Sequence, residues 1–438
     1  MSRAVIAGGR VVDPASGTDT VADVLIEDEL IADIGPELSV PDAEVLDASG
    51  LVVAPGLVDM HTHLREPGRE DEETIASASA AAAAGGYTAI CAMPNTDPVA
   101  DTAAVVEKVW ALGREAGLVE VVVSGALSRG LGGERMADLG EMARSAARVR
   151  LFTDDGHGIQ NALFARRAME YLRAFDAIYA EHCEDSALSA GGQMHEGSRS
   201  AELGLRGIPA AAEELMAARD IALAKITGCR LHLLHVSTAG TIEAIRRAKS
   251  NGLTITAEAT PHHFTLTDDA LTGYDPNAKV NPPLRTQADR AAVIAGLADG
   301  TIDVIATDHA PHSLEEKDVE FQYAPPGLVG LETALALGVS ELVGPGHMTM
   351  VQLIDRMSGA PARILGLERQ GGPLAAGRPA NIVVFDPEAA WTIDPSNFYS
   401  GSRNTPFGGR SVTGKVVHTF FNGRQSVRNG VAESKALV

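Results

Sequence analysis

The chain has 438 residues, 45% of them hydrophobic and 21% charged, with a formal net charge of −22. That length allows one large core plus a smaller one, and the acidic balance, with no local run of lysine or arginine to offset it, excludes nucleic acid and anionic membrane surfaces as natural partners. Neither a secretory leader nor a membrane-spanning stretch is legible, and Cys91, Cys183 and Cys229 each sit in or beside an apolar run, as reduced buried thiols do. The expected location is the cytoplasm.

In chain order, the first fifty-odd residues read as short strands joined by turns: 4–12, then 22–34 with a break at Glu27-Asp28-Glu29, then 44–53 with Gly50 inside it. The far end repeats this texture in 381–386, 390–393 and 415–421. There, Thr419-Phe420-Phe421-Asn422-Gly423-Arg424 reads as a hairpin turn and echoes Ile6-Ala7-Gly8-Gly9-Arg10. Two distant β segments flanking a different middle predict one small β-sandwich domain built from both termini, residues 1–55 and 366–438, around a central unit of 56–365.

The middle alternates strand-like and helix-like runs. The strands are 57–63, 87–93, 120–126, 149–153, 177–181, 230–236, 253–259 and 301–307. Between them lie alanine-rich or amphipathic stretches such as 72–84, 103–116, 211–225 and 241–249, whose composition and apolar spacing favour helix. Eight β/α units in series predict an α/β fold, a closed (β/α)8 TIM-type barrel, whose usual size is about 250 residues. An open doubly wound sheet competes, but no strand is followed by a G-x-G-x-x-G turn.

The polar residues cluster where strands stop. The first apolar run ends in Asp59-Met60-His61-Thr62-His63, and two histidines spaced by two leave one face of a strand, a bidentate grip on a first-row metal. An isolated His-x-His is as often incidental. Strand four ends in Asp154-Asp155, strand five in Glu181-His182, strand six in His235, strand eight in Asp308. In a barrel the C-terminal strand ends share one mouth, so His61, His63, an acid from strand four, His182, His235 and Asp308 would gather there. Six ligands suit two metals sharing a carboxylate, an arrangement that lowers the pKa of a bound water. His232, three before His235, is expected to face the helices, and His309 is out of phase with Asp308. His262 and His263 read as structural or supporting residues, and His157, His195, His347 and His418 carry no pattern.

The segment 58–68, VDMHTHLREPG, together with 306–312, ATDHAPH, resembles the two signatures of the dihydroorotase family in the amidohydrolase superfamily. The likeness runs through Met93-Pro94-Asn95-Thr96, 152–156, 181–185 and Val280-Asn281-Pro282-Pro283-Leu284-Arg285. It implies a binuclear zinc enzyme, two Zn2+ per chain, that interconverts N-carbamoyl-L-aspartate and L-dihydroorotate. An acid stands where many superfamily members carry a carboxylated lysine, and the resemblance favours Asp155 over Asp154 as the shared ligand.

The resemblance also assigns roles. Asp308 would carry a proton from the attacking water to the ring nitrogen, and Arg65, two residues past His63 and so on its face, would clamp the substrate carboxylate. The alternative for Arg65 is a surface ion pair with Glu66 or Glu70. His63, Asn95, Asn281 and His312 match the family's other substrate contacts. Pro326 departs from the pattern, since proline has no N–H to offer, and the contact is expected to pass to Gly327 or vanish. The long stretch 313–330 reads as a lid over the mouth. A homo-oligomer and a complex with aspartate carbamoyltransferase are further expectations. Hydantoinase or allantoinase chemistry is the nearest alternative, but allantoinase-like chains typically lack the arginine and hydantoinases carry the lysine. A non-catalytic scaffold would have lost ligands, and none is missing.

Overall fold

The computed structural model describes residues 3–433. Its N-terminal strands are β1 (Arg3–Asp13), β2 (Thr18–Glu27), β3 (Leu30–Gly35), β4 (Glu44–Asp47) and β5 (Val52–Pro55). Then come β6 (Leu57–Thr62), β7 (Tyr87–Ala92), β8 (Glu120–Val123), β9 (Leu151–Phe152) and β10 (Ile178–Glu181). A short parallel pair, β11 (Met194–His195) and β12 (Gly207–Ile208), interrupts the series before β13 (Arg230–Leu233), β14 (Ile255–Ala259) and β15 (Val304–Ile305). The chain ends in β16 (Ile382–Thr392), β17 (Ser411–Phe421), β18 (Arg424–Arg428) and β19 (Val431–Ala432).

The barrel is closed by parallel pairing alone. β6, β7 and β8 form one arc and β9, β10, β13, β14 and β15 the other. The Gly125–Phe152 bridge joins β8 to β9, and the Thr62–His309 bridge joins β6 to the end of β15. The second seam carries the His63 N–H to His309 carbonyl bond at 2.8 Å, so the closure runs through the residues flanking the candidate ligands. All eight expected strands are present but shorter than the apolar runs, most of all β15, which irregular backbone both precedes and follows. The expected helices are also present. The first begins only at Ile75, where Thr74 and Ser77 make a capping box, which leaves Glu72 and Glu73 ahead of it as buried acids.

Both termini build one nine-stranded sheet, β19-β18-β17-β16-β5-β1-β2-β3, with β4 also paired to β1. Alternation gives it two apolar faces: Ile382 and Val384 join its own core with Ile6, Val24, Ile31 and Phe420, while Val383 and Phe385 join the barrel core. The expected break in β16 is a bulge between Asp386 and Ala390. Gly8-Gly9 is not a hairpin turn. It is a bulge inside β1, where the register against β2 shifts and the parallel partner changes from β4 to β5. Asn422 (φ 47°) and Gly423 (φ 72°) do form the tight turn between β17 and β18.

A Cβ on Gly423 would lie 1.8 Å from the Asp28 carbonyl oxygen, in a left-handed backbone. Gly423→Ala is expected to destabilise the protein by about 2 kcal/mol or more, read as a lower denaturant midpoint. No loss would mean that this hairpin does not report on the fold.

Candidate metal centre

Five strand ends supply the cluster. His61 lies within β6 and His63 one residue past it; His182 directly follows β10; Asp155, His235 and Asp308 stand two or three residues beyond β9, β13 and β15. His235 (φ 30°) and Asp308 (φ 49°) adopt left-handed backbone, which swings their side chains inward after strand alternation has ended. Asp155 Oδ2 is 3.3 Å from both His61 Nε2 and His63 Nε2, and its Oδ1 is 3.3 Å from His235 Nε2 and 3.6 Å from His182 Nδ1. Asp308 Oδ1 lies 3.0 Å from His63 Nε2 and 3.4 Å from His61 Nε2. Asp154 turns away, accepting from the amides of Leu127 and Ser128 and from the Ser128 hydroxyl.

These residues fit metal ions. Ligands at about 2.0–2.2 Å around a tetrahedral ion lie about 3.3–3.6 Å apart, close to the spacings found here. His61 Nδ1 sits 2.5 Å from Glu258 Oε1 and so donates to it, while the buried Nε2 has no hydrogen-bond partner and faces Asp155 and Asp308. A lone pair facing two carboxylates is a place for a cation. Burial lowers the His182 pKa, but Asp155 and Glu184 outweigh it and push it up to about 10. Burial also opposes ionisation of Asp308, yet His61 and His63 hold it below the usual carboxylate range. Protons and cations therefore compete for this cluster.

Residues 50–241 match a family model described as dihydro-orotase-like. A dihydroorotase from Pelotomaculum thermopropionicum is 52% identical, covering 98% of this chain and 99% of its own length. One from Streptomyces coelicolor is 49% identical with the same coverage. The chain belongs to the dihydroorotase family. Among solved structures it is similar to a dihydropyrimidinase from Brevibacillus agri NCHU1002 (TM-score 0.85, 25% identity) and an L-hydantoinase from Arthrobacter aurescens (TM-score 0.87, 26% identity), each matched over 99% of this chain and 97% of its own.

In this member of the dihydroorotase family the cluster opens into a cavity of about 210 Å³, lined by His63, Arg65, Asn95, Asp155, His182, His235, Asn281, Asp308, His312, Pro326 and Gly327. His61 lies beneath it. Arg65 reaches the cavity through a left-handed turn (φ 63°) and not by strand phase. Its partner is neither Glu66 nor Glu70. Nε pairs with buried Glu72 Oε2 at 3.0 Å and donates to the Pro311 carbonyl. Asn95 Oδ1 is 2.8 Å from His63 Nδ1, and Asn281 Nδ2 is 3.3 Å from His182 Nε2 with its Oδ1 unpartnered. His312 Nδ1 stands 3.0 Å from both Glu72 and Glu316, and its Nε2 3.0 Å from the Pro326 carbonyl oxygen.

The expectation for His232 needs correction, and those for Gly327 and 313–330 gain structural detail. Gly327 has no free amide to offer: its N–H donates to the Lys279 carbonyl at 2.8 Å. The stretch 313–330 is braced, with helix Leu314–Lys317 capped by Ser313 and the buried Lys317 ammonium donating to the Pro276 and Pro325 carbonyls. His232 does not face the helices. It is fully buried, with Nε2 3.0 Å from Glu258 Oε2 and Nδ1 2.8 Å from Thr256 Oγ1, beneath His61. Counting back from His235 failed because β13 ends at Leu233. His309 does turn away, to Glu73, and His263 ties Thr260 to the Pro282 carbonyl.

Glu258 was not singled out in the sequence, although a lone acid inside the apolar run ITAEA is itself a signal. Burial works against its ionisation, but His61 and His232 outweigh this and bring its pKa down to about 2. Glu258→Gln is expected to weaken metal binding about 10- to 100-fold while preserving the fold, measured by competition with a chromophoric chelator. Unchanged affinity would show that His61 needs no carboxylate behind it.

Proposed function

We propose that the chain catalyses the reversible cyclisation of N-carbamoyl-L-aspartate to L-dihydroorotate, a cytoplasmic step of pyrimidine synthesis, with two zinc ions held by His61, His63, Asp155, His182, His235 and Asp308. The observation that carries this reading is the Asp155 carboxylate, one oxygen toward each of two histidine pairs, at the floor of a cavity whose wall holds buried Arg65. The imidazole and carboxylate donor set suits zinc. Bound there, the metals would supply a water of lowered pKa and Lewis acidity at the ring carbonyl.

The chain's own groups do the rest. Asp308 is ionised at rest and faces the cavity, so it can accept the proton of the attacking water and return it to the departing ring nitrogen. Arg65 and His312 on one wall and Asn95 and Asn281 on others offer charge and hydrogen bonds to the ring's carboxylate and amide groups. In the biosynthetic direction the same proton path runs backward.

The reading is tested by metal analysis of the purified protein alongside turnover of L-dihydroorotate, hydantoin and allantoin. Turnover confined to dihydroorotate is expected; preferred turnover of hydantoin would overturn it. Asp308→Asn is expected to retain metal but lose most turnover, since an amide can coordinate yet cannot accept the proton. Near-normal rates would place the base elsewhere. Arg65→Met is expected to lower kcat/KM roughly 30- to 150-fold, about 2–3 kcal/mol for a lost charge-assisted contact. Because the change also strips Glu72 Oε2 of its ion pair, leaving that carboxylate only Arg69 and His312 on its other oxygen, Arg65→Met combined with Glu72→Gln is the control, and full recovery in the double variant would assign the loss to Glu72.

A further inference from the structure

The cavity's Arg65–His312 wall is held from behind by a segment that returns from the other domain. Between helix Pro395–Asn397 and β17, residues 400–404 run behind the end of strand eight. The Ser400 hydroxyl and the Gly401 N–H donate to Glu73, which the Ser77 hydroxyl and His309 also hold. Ser402 Oγ donates to the Glu72 carbonyl at 2.7 Å.

Asn404 makes the decisive contacts. Its Oδ1 accepts from the His312 N–H at 3.1 Å; its Nδ2 donates to the Ala310 carbonyl at 3.0 Å and the Gly327 carbonyl at 3.1 Å. Its own carbonyl accepts from the Val329 N–H at 2.9 Å. The side chain is buried, both of its N–H donors are used, and it does not line the cavity. One carboxamide thus ties together two backbones, that of 310–312 and that of 327–329, which carry His312 and Gly327 to the cavity and meet directly at the Ala310 N–H to Leu328 carbonyl bond (2.8 Å) and the adjoining His309–Leu328 bridge.

We infer that Asn404 is a positioning residue for substrate recognition, through which the β-sandwich domain sets the width of the carboxylate-binding wall in the barrel. This rests on the dihydroorotase reading for the identity of the substrate. The hydrogen bonds of the Asn404 side chain go to His312, Ala310 and Gly327 and not to the metal-cluster residues, so its effect falls on binding before it falls on the proton path. Asp is the discriminating replacement. It has nearly the same shape and keeps the acceptor for His312, but sets an oxygen against two carbonyls that Nδ2 now serves.

The full-length metal-loaded protein, Asn404→Asp and Asn404→Ala are compared. In Asn404→Asp the KM for L-dihydroorotate is expected to rise at least tenfold, with kcat within threefold and metal content unchanged. Gln370→Ala serves as the control for general loosening. Gln370 staples the same two domains at the opposite end of the barrel, accepting from Thr88 Oγ1 and donating to Glu120, so it should lower thermal stability without moving KM. A KM within twofold of the parent in Asn404→Asp, a parallel rise in Gln370→Ala, or a loss of metal with the KM change overturns the inference. Amide exchange across 310–312 and 327–329, measured without substrate, should accelerate in Asn404→Asp; unchanged protection also overturns it. A parent that fails to turn over dihydroorotate at all would instead sink the functional reading, leaving the exchange result to judge Asn404.

Discussion

Asp155 presents one carboxylate oxygen to each of two histidine pairs, and the arrangement of the mouth follows from that. A single carboxylate can be shared this way only if strands one, four, five and six deliver their ends to within a few ångströms of one another, which requires a closed barrel and not an open sheet. The closure is correspondingly intimate with the site. The bridge that seals β6 to the end of β15 joins Thr62, between the two histidines, to His309, next to Asp308. Asp59 adds a second tie, its carboxylate accepting from the amides of His61 and Thr307.

Buried charge sets the next constraint. Asp155, Asp308 and Glu258 lie among His61, His63, His182, His232 and His235 with almost no access to water. Carboxylates so placed are tolerable only when paired or coordinated. The cluster resolves this by layers: Glu258 serves His61 and His232 from below, while Asp155 and Asp308 face the open nitrogen of His61 from above. Metal binding and proton release are therefore two sides of one equilibrium here.

The architecture was legible because its signals are repeated. Eight apolar runs survive an error in any one boundary, and ligand-type residues on five of the ends reinforce one another. What failed was phase-counting beyond the strand. For His61 and His63 it held, since β6 reaches Thr62; Arg65 reaches the same cavity as His63 but by a left-handed turn, and for His232 the count failed because its reference residue, His235, is itself left-handed. Glu258 left a trace as an acid in an apolar strand. Asn404 left none, because its neighbours 310, 312, 327 and 329 are remote in sequence and only the packed chain brings them to it.

Left-handed backbone marks the site physically. Arg65, His235 and Asp308 are non-glycine residues at positive φ, a conformation that costs on the order of 1–3 kcal/mol each unless the surroundings over-determine it. Continued strand geometry would have pointed alternate residues back toward the helices; the left-handed turn rotates each into the mouth at the point where the ladder ends. The surroundings that hold these turns are identifiable: the Glu72 carboxylate and Pro311 carbonyl on Arg65, Glu258 Oε1 on the His235 amide, and His63 on Asp308. Because Glu72 is held in turn by Ser402, part of the constraint on Arg65 originates in the segment that comes back from the β-sandwich. The second domain is thus mechanically continuous with the cavity wall, through Ser402 on the Glu72 carbonyl and Asn404 on the His312 amide.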